Sequence, residues 1–115
     1  MGNSVQKWNP WIPITEIKQL KILGKCGEEV NELGSAISRC IIQGVDEVHP
    51  ETGKGNQEWL EDEIADVLAT TQLVANHYGL DGDRIEARAT AKIEYLSRWI
   101  EDETQHRTVD ENQND

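Results

Sequence analysis

Two short acidic stretches carry the side chains best suited to chemistry. Lys25–Leu33 holds Glu28, Glu29 and Glu32, and Glu61–Val67 holds Glu63 and Asp66. Both stretches lie inside apolar patterns of helical period. Residues three apart on a helix sit about 60° apart around its axis and within one turn, so Glu29 and Glu32, or Glu63 and Asp66, point the same way. Four carboxylates aimed at one place repel one another unless a cation neutralises them. An oxygen-only ligand set with no imidazole or thiolate selects a hard divalent ion, Mg2+, with Mn2+ as a substitute.

The elements that must position these groups can be read from the same pattern. From Ile17 the apolar positions recur at Leu20, Leu23, Cys26, Val30, Leu33, Ile37 and Cys40, up to a stop at Gly44, with Thr15 as the expected N-cap. Gly24 and Gly27 raise the expectation of a kink or break inside that helix. A second helix is expected from about Gln57 to Tyr78, closed by Gly79, and a third starts near Asp81 with Ile85, Ala89, Ile93, Leu96, Trp99 and Ile100 inward. No strand pattern or internal repeat is present, so the fold class is all-α.

Counting 100° per residue, the stripe of the first helix centres between Val30 and Leu33, with Glu29 about 75° and Glu32 about 135° to one side. On the second helix Glu63 and Asp66 fall about 70° and 130° from the stripe centre in the same rotational sense. Two helices packed antiparallel through their stripes bring flanks of equal sense to one side, and a single connecting loop favours that arrangement. The four carboxylates are therefore expected to converge. The connection, residues 44–56, is rich in Gly, Pro and Asn and reads as a mobile loop; its Thr52-Gly53-Lys54-Gly55 lacks the full phosphate-loop pattern.

With 115 residues the chain is long enough for one modest core and short enough that help from a partner chain is expected. Its 22 acidic residues against 11 basic ones, net charge −11, argue against a nucleic-acid backbone as partner. Cys26 and Cys40 stand about 21 Å apart on one helix and cannot form a disulfide. No apolar run reaches membrane length and no secretory signal is evident, so the expected location is cytoplasmic and no membrane is involved. Residues 1–14, with Trp8, Pro10, Trp11 and Pro13, read as an extended arm, and residues 105–115 as a disordered acidic tail.

Glu28-Glu29-Val30-Asn31-Glu32-Leu33, followed by Glu63-Ile64-Ala65-Asp66, resembles the paired Glu-Glu-x-x-Glu and Glu-x-x-Asp signature of the MazG-like, all-α nucleoside triphosphate pyrophosphohydrolases. The likeness spans about residues 15–100, within a single helical domain at 1–104. It implies Mg2+-dependent hydrolysis of a nucleoside triphosphate to monophosphate and pyrophosphate, by metal-activated water attacking the α-phosphorus. It implies Glu29, Glu32, Glu63 and Asp66 as metal ligands and Glu28 as a further acid or ligand. It also implies phosphate-holding cations, for which Lys92 and Lys25 are the candidates. Three helices cannot close an antiparallel four-helix core alone and the third leaves apolar surface over, so a homodimer or dimer of dimers is expected to complete it. The competing reading is a non-catalytic acidic helical module that binds a basic partner. Charge mimicry spreads acids over exposed faces, whereas four acids here border apolar stripes.

Overall fold

The computed structural model describes Trp8 and residues 10–113. It contains three helices, α1 (Ile17–Gln43), α2 (Asn56–Tyr78) and α3 (Gly82–Gln113). Among the described residues there is no strand, only an isolated antiparallel bridge between Val48 and Gly55. The chain divides into two compact units, Met1–Tyr78 and Gly79–Asp115. The first is the α1–α2 hairpin with its loop, and the second holds α3.

α1 begins one residue later than the hydroxyl pattern suggested. Glu16, not Thr15, is the N-cap, and its carboxylate accepts from the Gln19 amide at 3.1 Å. A carboxylate satisfies that orphan donor and also favours the positive helix end. Gly24 and Gly27 do not break the helix, which runs unbroken for 27 residues. Gly44 ends it at φ 97°, donating its amide to Cys40 O at 2.8 Å. That left-handed backbone is one a side chain resists.

α1 lies along α2, and burial traces the seam between them. On α1 the covered positions include Gln19, Ile22, Cys26, Glu29, Leu33, Ala36 and Cys40, in steps alternating three and four. On α2 they include Asn56, Leu60, Glu63, Val67, Thr70 and Val74, with the same alternation. This is the spacing of a coiled-coil contact line. It corrects the stripe expected from the sequence, because the seam is rotated about 40° on α1, toward the acidic flank. Val30, Ile37 and Ile41 on α1 and Ile64 and Leu68 on α2 stay exposed. The apolar sector of each helix is wider than one neighbour can cover, and Ala36 with the two cysteines lets the backbones approach along one edge of it.

The loop, expected as a plain mobile connection, carries hydrogen bonds of its own. His49 N donates to Lys54 O and Gly53 N to His49 O, each at 2.9 Å, and Gly53 takes φ 75° at the turn. Asn56, only 4% exposed, joins the ends of the two helices by donating Nδ2 to Gly44 O at 2.9 Å and to Gln43 Oε1 at 3.3 Å.

α3 is capped by Asp81, whose Oδ1 accepts from the Arg84 amide at 3.1 Å. Its backbone stays helical to Gln113, through most of the stretch whose composition suggested a tail. Residues 101–113 contain neither Pro nor Gly, so an established helix propagates at little cost. Residues 114–115 lie outside the described residues. Of the expected arm, Trp8, Pro10 and residues 11–14 carry no regular structure, and the remainder also lies outside the described residues.

Candidate metal centre

The seam rotation moves Glu29 and Glu63 from the flank of their helices onto the contact line. Glu29 is 6% exposed and Glu63 half-buried, while Glu28, Glu32 and Asp66 stand at the solvent edge beside them. A heptad contact position ordinarily carries an apolar residue, and here two facing helices each place a carboxylate there.

The carboxylates form two overlapping groups. Glu28, Glu29 and Glu32 each offer an oxygen within 4.8 Å of the others, and so do Glu29, Glu63 and Asp66. Glu29 belongs to both. Each of the five acids singled out from the sequence thus belongs to one of the two groups, and Glu29 is the member they share. Neither group contains a histidine or cysteine.

Lys25 leans over the α1 side of the cluster. Its Nζ lies 3.1 Å from Glu29 Oε1 and 3.4 Å from Glu28 Oε2. These contacts, chiefly the hydrogen bond to Glu29 and then the charge of Glu28, hold the Lys25 ammonium above the usual lysine range. One ammonium does not balance five acids. The charge of Glu29, loss of water and a shared hydrogen bond with Glu29 push the Glu32 carboxyl up from its ordinary value, with Glu63 and Glu28 adding to the effect. Two oxygens, Glu29 Oε2 and Glu63 Oε2, are buried without any hydrogen-bond partner. A buried carboxylate oxygen left unsatisfied is costly, and both belong to an acidic group that could hold a cation. The donors are all hard oxygens, so the residues fit Mg2+ or Mn2+.

Thr70, on the next turn of α2 and 9% exposed, donates its hydroxyl to Asp66 O at 2.8 Å. Lys92 stands on α3, in the second unit, beside a shallow exposed pocket that it lines with Arg84, Arg88 and Tyr95. Sequence reasoning passed over Arg84 and Arg88, although their spacing of four from each other and from Lys92 was the available signal. It also gave no weight to Arg39, two turns beyond Glu32. Comparison with family models, with curated proteins and with solved structures finds no match in any of the three.

Proposed function

We propose that this chain is a Mg2+-dependent nucleoside triphosphate pyrophosphohydrolase of the MazG-like kind, cleaving between the α and β phosphates. The observation that carries the reading is the pair of buried, unpartnered oxygens of Glu29 and Glu63 at the α1–α2 seam. Structural acids on a solvated helix face do not sit on a contact line without partners.

In this reading Glu29, Glu32, Glu63 and Asp66 hold the cation. A divalent ion there neutralises triphosphate charge and makes water more acidic. Glu28, exposed at the edge of the cluster, accepts the proton of the attacking water. The water oxygen bonds to the α-phosphorus, the bond from phosphorus to the bridging oxygen breaks, and pyrophosphate leaves with that electron pair. Lys25, held between Glu28 and Glu29, is a fixed ammonium donor for a phosphate oxygen. The apolar residues left uncovered on the hairpin support assembly as a homodimer or dimer of dimers, in which a four-helix core is completed.

The test is pyrophosphate release from a panel of ribo- and deoxynucleoside triphosphates in millimolar Mg2+. Glu32→Gln and Asp66→Asn are each expected to lower turnover by at least about a hundredfold, while Glu101→Gln, at an exposed position of α3, stays near wild type. Wild-type turnover by either ligand variant removes the ligand assignment. Diphosphate and orthophosphate as the main products place the chain in another reaction class.

A further inference from the structure

A second feature, apart from the carboxylate cluster, lies at the loop end of the hairpin. A cavity of about 530 Å3 opens there, lined by Arg39, Gln43, His49, Asn56 and Trp59, with Val48 and Pro50 among its apolar walls. That is the size range of small-molecule sites, which combine apolar and aromatic walls with a few fixed polar groups.

The polar groups here are fixed. Asn56 is buried and tied to both helix ends. The His49 ring is oriented by two backbone amides, since Nδ1 accepts from Glu51 N at 3.2 Å and Thr52 N at 3.3 Å. That leaves Nε2 as its donor end. Trp59 has its indole held in place by the Arg39 guanidinium 5.0 Å from the ring centroid and by Lys54 Nζ at 3.9 Å. Lys54 is in turn anchored on Asp62 at 2.7 Å. Arg39 enters none of the ion pairs found among the described residues, in a chain of net charge −11. Its guanidinium lies over Trp59, and Glu47 shares the lining of the cavity with it.

The cavity is also in register with the carboxylates. Arg39 follows Glu32 by seven residues, two turns along α1, about 10 Å further and about 20° around the axis. Trp59 precedes Glu63 by one turn of α2, about 6 Å. Both steps run toward the loop, along the same flank.

We propose that this cavity holds the nucleoside end of the substrate: the heteroaromatic base lies against Trp59, and its edge is read by Arg39, His49 and the amides of Gln43 and Asn56, while the phosphates reach the carboxylates. Base against indole is a sequence-tolerant contact, and the polar edge supplies preference among bases. The inference rests on the pyrophosphohydrolase reading, and its test separates the two. Wild-type chain is titrated in Mg2+ with the α,β-imido analogues of the four deoxynucleoside triphosphates and with inorganic tripolyphosphate, which carries phosphates and no base. At least one nucleotide is expected to bind about tenfold more tightly than tripolyphosphate. His49→Ala and Trp59→Leu are each expected to cut that advantage to about threefold or less, with tripolyphosphate affinity unchanged. If tripolyphosphate binds as well as every nucleotide, or if both variants leave the advantage intact, the base lies elsewhere and this proposal falls alone. If the variants weaken tripolyphosphate and nucleotides equally, the effect is on the fold and the proposal also falls. Absence of Mg2+-dependent binding by all five probes overturns the hydrolase reading and this one with it.

Discussion

At Glu29 the chain accepts a local cost that packing alone does not explain. An apolar residue in that seam position would bury area against α2, whereas the carboxylate leaves Oε2 without a partner. If the carboxylate is there for a cation, its removal separates stability from binding. Glu29→Gln keeps the shape and removes the charge, so in EDTA its unfolding free energy is expected to stay within about 1 kcal/mol of wild type. The rise in melting temperature on adding millimolar Mg2+ is expected to disappear. Thermal melts with and without Mg2+ read both quantities; a Mg2+ shift retained in full by the variant refutes the ligand role.

Glu32 supplies a pH signature of the same crowding. Its raised folded-state value means that the native metal-free chain binds a proton there more tightly than the unfolded chain does. Stability attributable to this group therefore falls as pH rises through the raised value and recovers as pH drops toward the ordinary value of 4.5. In EDTA Glu32→Gln is expected to be more stable than wild type at neutral pH, and the difference should shrink on acidification, since protonated Glu32 resembles Gln. A difference that grows toward acid pH would show that the Glu32 charge is stabilised rather than crowded.

At the scale of the elements, the stops at Gly44 and Gly79 and the periodic runs between them were legible, because a glycine after an amphipathic run is a local signal. Rotational sense alone led to the expectation that the carboxylates converge, and what the structure shows is two acidic groups that share Glu29. The seam's rotation was not legible. Hydrophobic period gives the whole apolar sector of a helix, and nothing in Val30, Ile37 or Ile41 says that α2 covers the other edge. The hydrogen bonds of the loop were missed for a related reason. Its Gly and Pro content marks a departure from helix, but the hydrogen bonds between His49 and Lys54 depend on a pairing that composition does not encode. Glycines within α1 give this scale its own test. An added Cβ at Gly34 meets nothing within 4 Å, so Gly34→Ala is expected to stabilise by about 0.5–1 kcal/mol in urea unfolding. Gly44, at φ 97°, is equally open in space yet its alanine variant is expected to cost about 1 kcal/mol through backbone strain. Equal effects at the two sites would mean that the helix end is not held in that conformation.

At the scale of the molecule, among the described residues Ala36 is the sole buried apolar residue. Ile41 is 79% exposed, Leu68 66% and Ile93 66%. No helix among these residues is long and apolar enough to cross a membrane, so a bilayer-spanning helix does not account for that surface. Burial of apolar area is the main favourable term in folding, and a single chain that leaves most of its large aliphatic residues in water has little to set against its conformational entropy. In the proposed assembly a second copy would cover the α1 edge formed by Val30, Ile37 and Ile41, which is continuous with the seam that positions Glu29. Folding, assembly and the metal centre are then coupled, so melting temperature is expected to rise with protein concentration and light scattering at micromolar concentration to report at least a dimer. A 13.0 kDa monomer that melts independently of concentration and still releases pyrophosphate would show that one chain completes the site and that the exposed aliphatic edge serves another purpose.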